Sequence, residues 1–150
     1  MVTLISHDAG QTEAIGGEWG HAAARGWVIG LSGDLGAGKT VLVKGIAQGL
    51  GITARVHSPT FALVNEYRGG RLPMVHLDLY RMETRAEIVG AGLEEYFDKP
   101  SGVVAVEWME RWFGEQKGLA VRSLSARYRK VLIETLAESE RRVTYEDIGA

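Results

Sequence analysis

Gly33-Asp34-Leu35-Gly36-Ala37-Gly38-Lys39-Thr40 meets the spacing G-x-x-x-x-G-K-[ST] at every required position. Glycine lets a backbone curl until successive N–H groups face phosphate oxygens, and a helix opening at Thr40 adds its positive end to that field. Lys39 is spaced to reach the β- and γ-phosphates of a nucleoside triphosphate. The Thr40 hydroxyl is the usual protein ligand for a Mg2+ bridging those two phosphates. The bland alternative is a glycine turn that happens to precede Lys-Thr. The apolar run before it and the helical spacing after it favour the phosphate loop.

A phosphate loop alone hydrolyses nothing, so a second acid and a group that orients water are needed. In His76-Leu77-Asp78-Leu79-Tyr80-Arg81, Asp78 follows the apolar stretch Pro73 to Leu77. It can hold the metal, directly or through water, as a Walker-B acid does, or be an aspartate exposed on an edge strand. Glu107 terminates Val103-Val104-Ala105-Val106. A carboxylate at the end of a buried strand points to metal or attacking water, and spacing does not separate those two jobs. Thr60, in His57-Ser58-Pro59-Thr60-Phe61, lies where a loop sensing the γ-phosphate and its Mg2+ is expected. A proline turn entering a strand explains Ser58 and Pro59 equally well. His7, His21, His57 and His76 show no zinc-ligand spacing, and there is no cysteine to supply a thiolate ligand or nucleophile. Trp108 and Trp112 are four apart, a spacing that reads as core packing.

These residues need elements to carry them. Val2 to Ile5 reads as a short strand and a helix follows from about Ala9, with Asp8 as N-cap. Gly16, Gly17 and Gly20 make that helix intrinsically poor, so packing must hold it. Trp27 to Leu31 is a continuous apolar run, the form of a strand covered on both faces. Val41, Leu42, Ile46 and Leu50 recur at helical spacing up to Gly51. Phe61 to Tyr67 and Leu72 to Leu79 flank Arg68-Gly69-Gly70-Arg71 as antiparallel strands. Glu83 to Ala91 reads as helix, and Lys130 to Leu136 with Arg141 to Tyr145 as a terminal hairpin. Residues between Arg111 and Arg129 take no assignment. The expected architecture is α/β, a P-loop-NTPase-like three-layer sandwich whose mixed, mostly parallel sheet carries antiparallel strands, with residues 1–150 as one domain.

Composition agrees. Apolar side chains make up 45% of the 150 residues and charged ones 24%, the balance of an ordinary globular chain. Seventeen Lys and Arg against nineteen Asp and Glu, net −2, argue against tight unaided binding to a polyanion. Apolar runs such as Val103 to Val106 are far shorter than the roughly 18–20 residues that cross a bilayer. No secretory or transit pattern opens the sequence, so no membrane association and a cytoplasmic setting are expected.

GDLGAGKT, HSPTF, HLDLYR and VEWME stand in this order, and together they resemble the TsaE family, also known as YjeE, small bacterial ATPases of tRNA threonylcarbamoyladenosine synthesis. The resemblance spans about Ser6 to Glu110. The phosphate loop is common to many proteins, whereas the other three motifs in this order are specific. It implies an ATP-hydrolysing accessory subunit that binds ATP or ADP with Mg2+ and works with the TsaB and TsaD proteins, reaching tRNA only through them. It assigns Gly36, Ala37, Gly38, Lys39, Thr40 and Val41 to the phosphates, Thr40 to Mg2+, and Asp78 and Glu107 to metal and water chemistry. It makes Thr60 switch-like, puts Trp108 beside the site and Thr12 on the adenine side. Phe113 to Arg129 departs from the family pattern and receives no role.

Three rivals compete. Guanine-specific enzymes usually carry N-K-x-D, and Asn65 is the only asparagine present. A small-metabolite kinase would use Arg127, Arg129, Arg141 and Arg142 to clamp a second phosphorylated substrate. A nucleotide-gated interaction module would signal through binding rather than turnover.

Overall fold

The computed structural model describes residues 1–34, 36–57, 64–98, 100–113 and 127–148. Thr60, the expected γ-phosphate sensor, lies outside them, as do Leu35, the start of the strand expected from Phe61 and most of the unassigned stretch after Arg111.

Seven strands form one mixed sheet. In chain order the elements are β1 (Val2–Ser6), α1 (Ala9–Ala22), β2 (Trp27–Ser32), α2 (Lys39–Gly49), β3 (Val64–Tyr67), β4 (Met74–Asp78), α3 (Arg85–Gly90), α4 (Glu95–Asp98), β5 (Val103–Glu107), α5 (Glu110–Phe113), β6 (Arg127–Thr135) and β7 (Arg141–Ile148). The sheet order is β1-β7-β6-β2-β5-β4-β3. β6, β2, β5 and β4 run parallel; β3 at one edge and β7 at the other pair antiparallel to this set, and β1 pairs antiparallel to β7. Their sequences show why. β2 up to Leu31 and β5 up to Val106 are apolar, each ending in one polar residue, Ser32 and Glu107, and both carry helices on both faces, as parallel strands do. β6 alternates between buried and exposed residues and pairs with the hairpin strand β7.

One buried cluster, with Leu31, Leu42, Ile46, Met74 and Ala105, packs α1 and α2 onto the sheet. A second, with Val28, Leu77, Ile88, Val106, Met109 and Trp112, packs α3 and α5 onto the opposite face. These are the three layers expected. Alternation along β4 and β5 puts Met74 and Ala105 on the α2 side, and therefore also His76, Asp78 and Glu107.

α1 begins where Asp8 Oδ1 accepts the Gln11 N–H at 2.7 Å and the Gln11 side chain accepts the His7 N–H at 2.7 Å, a reciprocal cap. Its glycines are the contact with α2. A methyl group on Gly16 would stand 2.3 Å from the Leu42 carbonyl oxygen, and one on Gly45 2.0 Å from that of Glu13. The helix ends at Ala22, four residues before the glycine at 26 that reads as a helix stop in the sequence, and Gly26 instead turns the chain into β2 with its N–H on the Gly102 carbonyl. β6 starts at Arg127 and β7 runs to Ile148, both longer than the expected hairpin. Among the described residues no helix is long and apolar enough to cross a membrane.

Candidate functional site

The site is built at the carboxyl ends of the parallel strands, where open α/β sheets place ligands. β2 leads directly into the phosphate loop. Gly33 lies so close to β6 that a Cβ there would meet the Ile133 carbonyl oxygen at 2.3 Å, and Gly38 caps α2 with φ of 108°, a left-handed conformation that favours glycine. Loop and helix are joined by Ala37 N–H donating to Asp34 O at 3.1 Å and Leu42 N–H to Gly38 O at 3.1 Å. On the far side Arg141 Nε donates to the Ala37 carbonyl at 3.0 Å, so the β6–β7 hairpin braces the loop.

Lys39 is only 5% exposed. Its ammonium donates to the carbonyls of Gly33 at 2.6 Å and Asp34 at 2.7 Å and lies 4.1 Å from the centre of the Trp108 ring. Burial pulls its pKa below the ordinary lysine value, opposed by the negative charges of Glu107, Glu110, Asp78 and Asp34. Trp108 therefore belongs to the cleft. It also packs, partly buried, against the second cluster, in which Trp112 is buried, so both tryptophans meet the core-packing expectation. The Trp108 φ of 61° is the only positive value at a non-glycine among the described residues, and this turn swings the indole out of line with β5 immediately after Glu107. Tyr80 covers it, ring centres 5.0 Å apart.

Glu107 is 3% exposed. Thr40 Oγ1, in the first turn of α2, donates across to its carboxylate, 3.1 Å from Oε1 and 3.0 Å from Oε2. His76 Nε2 lies 2.6 Å from Oε2. Asp78 stands opposite Glu107 in the β4–β5 ladder and accepts the Tyr80 N–H at 3.0 Å. Burial raises the Asp78 pKa, the Tyr80 N–H counters it, and the neighbouring Glu107 charge raises it further. Among the described residues no group of three or more His, Asp or Glu is arranged to hold a metal ion by itself. A hydroxyl and carboxylates suit a hard cation that takes its remaining ligands from phosphate and water.

Beside the loop a pocket of about 230 Å3 is lined by Asp8, Thr12, Gly36, Gly38, Val41 and Arg141, among others. Thr12 is held there by a 2.6 Å hydrogen bond with the Ser6 hydroxyl. The structure thus gathers Thr12, Gly36, Ala37, Gly38, Lys39, Thr40, Val41, Asp78, Glu107 and Trp108 around one loop. It does not assemble the arginine clamp. Arg127 pairs in register with Trp27, at the opposite end of the sheet, and Arg129 is bound to Asp147 at 2.6 and 2.9 Å. Arg142 is paired with Glu134, leaving only Arg141 at the loop.

Sequence reasoning missed His76 and Tyr80 as members of this site, and named Arg141 only as part of the kinase clamp rather than as a brace of the loop. His76 had a legible signal, its i−2 spacing from Asp78 on one strand face. Arg141 had none, because its proximity depends on the β6–β7 register.

A family model, threonylcarbamoyl adenosine biosynthesis protein TsaE, matches residues 6–143, a span containing every residue just gathered. The tRNA threonylcarbamoyladenosine biosynthesis protein TsaE of Synechocystis is 52% identical over 101 residues, 63% of this chain and 64% of that protein. The chain thus matches slightly under two thirds of that relative's length. The protein of the same name from Bacillus subtilis is 41% identical over 139 residues, 93% of this chain and 81% of its own length. A crystal structure of Bacillus subtilis YdiB superposes with a TM-score of 0.76 at 35% identity, covering 99% of this chain and 86% of the other.

Proposed function

The chain belongs to the TsaE family, and from that premise we propose that residues 1–150 act as one phosphate-loop domain that binds ATP with Mg2+ and hydrolyses it for tRNA threonylcarbamoyladenosine synthesis, together with TsaB and TsaD. The observation that carries this reading is the convergence of Lys39, Thr40, Asp78 and Glu107 at one sheet end. Loop N–H groups receive the phosphates, and Lys39 turns from the Gly33 and Asp34 carbonyls toward the β- and γ-oxygens. A buried lysine whose charged form is already opposed by desolvation gains from an anion placed against it.

Thr40 and Glu107 fit Mg2+ as a pair of hard oxygen donors that already touch. Bound there, Mg2+ supplies charge neutralisation of the β- and γ-phosphate oxygens. Asp78, next to Glu107 in the ladder, orients water. Trp108 and Tyr80 form an aromatic wall beside Lys39 that limits bulk water. The pocket at Thr12 and Arg141 takes the adenosine end; at about 230 Å3 it suits part of a nucleotide rather than all of it.

The test is phosphate release from ATP by the purified chain with Mg2+, alone and with TsaB and TsaD. Slow release alone, an altered rate with the partners, and loss of both in Lys39→Ala are expected. No release under either condition, with no co-elution, would refute the proposal.

A further inference from the structure

We propose that His76 is a positioning residue for Glu107, holding the carboxylate in the orientation that binds the divalent cation; the inference rests on the function proposed above. His76 lies on β4 in register with Ala105 of β5, two residues before Glu107. The alanine methyl leaves the diagonal open, so the imidazole reaches along the sheet to a carboxylate that a larger residue at 105 would screen. The His76 side chain is fully buried, and its Nε2 stands 2.6 Å from Glu107 Oε2. Its other ring nitrogen, Nδ1, is buried with no partner among the described residues. A hydrogen there would be a stranded donor, so the ring hydrogen belongs on Nε2, which donates to the carboxylate.

Among the described residues the Glu107 carboxylate has two hydrogen-bond partners, Thr40 and His76. In the proposed bound state the Thr40 hydroxyl turns to the cation. His76 is then the partner that remains, and without it a nearly buried carboxylate rotates freely or withdraws from the opening. Hydrogen bonds of this kind to a ligating carboxylate orient it, and their loss typically weakens metal affinity by about 10–100-fold.

Two substitutions separate positioning from packing. In His76→Gln the amide nitrogen ends near the place of the imidazole Nε2, whereas in His76→Asn it ends near Nδ1 and falls short. The measurement is Mn2+ affinity of the ADP complex by electron paramagnetic resonance, with ADP affinity in chelator as control. His76→Asn is expected to bind Mn2+ about 10–100-fold more weakly, His76→Gln to stay within a few-fold of the unmodified protein, and metal-free ADP affinity to hold in both. Equal Mn2+ affinity in all three proteins, or equal loss in both variants, overturns the inference. Long-range 1H–15N spectra of the unmodified, ligand-free protein give a readout independent of folding of the variants: Nε2 carrying hydrogen is expected, and a bare Nε2 overturns it. An unmodified protein that binds ADP but no Mn2+ also overturns it while leaving nucleotide binding intact. One that binds neither removes the functional reading itself.

Discussion

Glu107 has to find its hydrogen bonds inside the protein, because a carboxylate only 3% exposed has lost nearly all its water. Thr40 and His76 provide them. Glu107→Gln keeps the shape and removes the charge. Its turnover is expected to fall at least about tenfold at limiting Mg2+ with nucleotide binding retained, checked by phosphate release beside calorimetry; unchanged turnover counts against a role in holding the cation. Far from the cleft, Asp147 shows the opposite electrostatics to Asp78. The hydrogen bonds from Arg129 hold its carboxyl below the ordinary value of 3.8, whereas burial raises that of Asp78. A depressed carboxyl adds stability above its ordinary pKa and loses it as pH falls through the depressed one. The unfolding free energy of the unmodified protein should therefore exceed that of Asp147→Asn by up to about 1 kcal/mol near neutrality, discounted for its exposure. In urea titrations that gap should stay constant above about pH 5 and close as pH falls past 3.8 and through the depressed value below it.

At the scale of elements, the α1–α2 crossing decides how the phosphate loop sits, since α2 carries Lys39 and Thr40 in its first turn. The two helices approach until carbonyls of one occupy the space of absent methyl groups on the other. Gly45→Ala should destabilise by about 1–3 kcal/mol, since its Cβ would meet the Glu13 carbonyl oxygen at 2.0 Å and backbone must shift. Gly17→Ala has ordinary contact, 3.8 Å from the Gly45 oxygen, and should stabilise by up to about 1 kcal/mol through helix propensity. Thermal or urea unfolding of the pair reads both signs, and a loss at Gly17 comparable to that at Gly45 would contradict the crossing geometry.

For the whole molecule, the parallel strands put chemistry at one end and leave the other to structure. Arg127 lies five register positions from Leu132, the partner of Ser32 at the loop end, or about 16 Å at 3.3 Å per residue. Arg127→Ala should consequently leave ATP turnover at the unmodified rate, and phosphate should appear in water rather than on an acceptor. A selective loss of turnover in this variant would revive a second-substrate clamp.

Local runs of residues carried much of this: the loop at Gly33 to Thr40, the buried strands read as Trp27 to Leu31 and as Val103 to Val106 closed by Glu107, the cap at Asp8, and the antiparallel strands flanking Arg68 to Arg71. Each is legible because its cause lies within a few bonds, in turn chemistry, periodicity or a capping side chain. Folding in three dimensions settled the remainder. Thr40 and Glu107 are 67 residues apart, and His76 and Glu107 31 apart, yet they share one hydrogen-bonded group. The glycines of α1, a weakness when read as propensity, became a packing surface only once α2 lay across them. Strand neighbours, and with them Arg141 at the loop and Arg127 away from it, follow from sheet order. That order minimises exposed apolar area over the entire chain, a sum to which no single segment holds the answer.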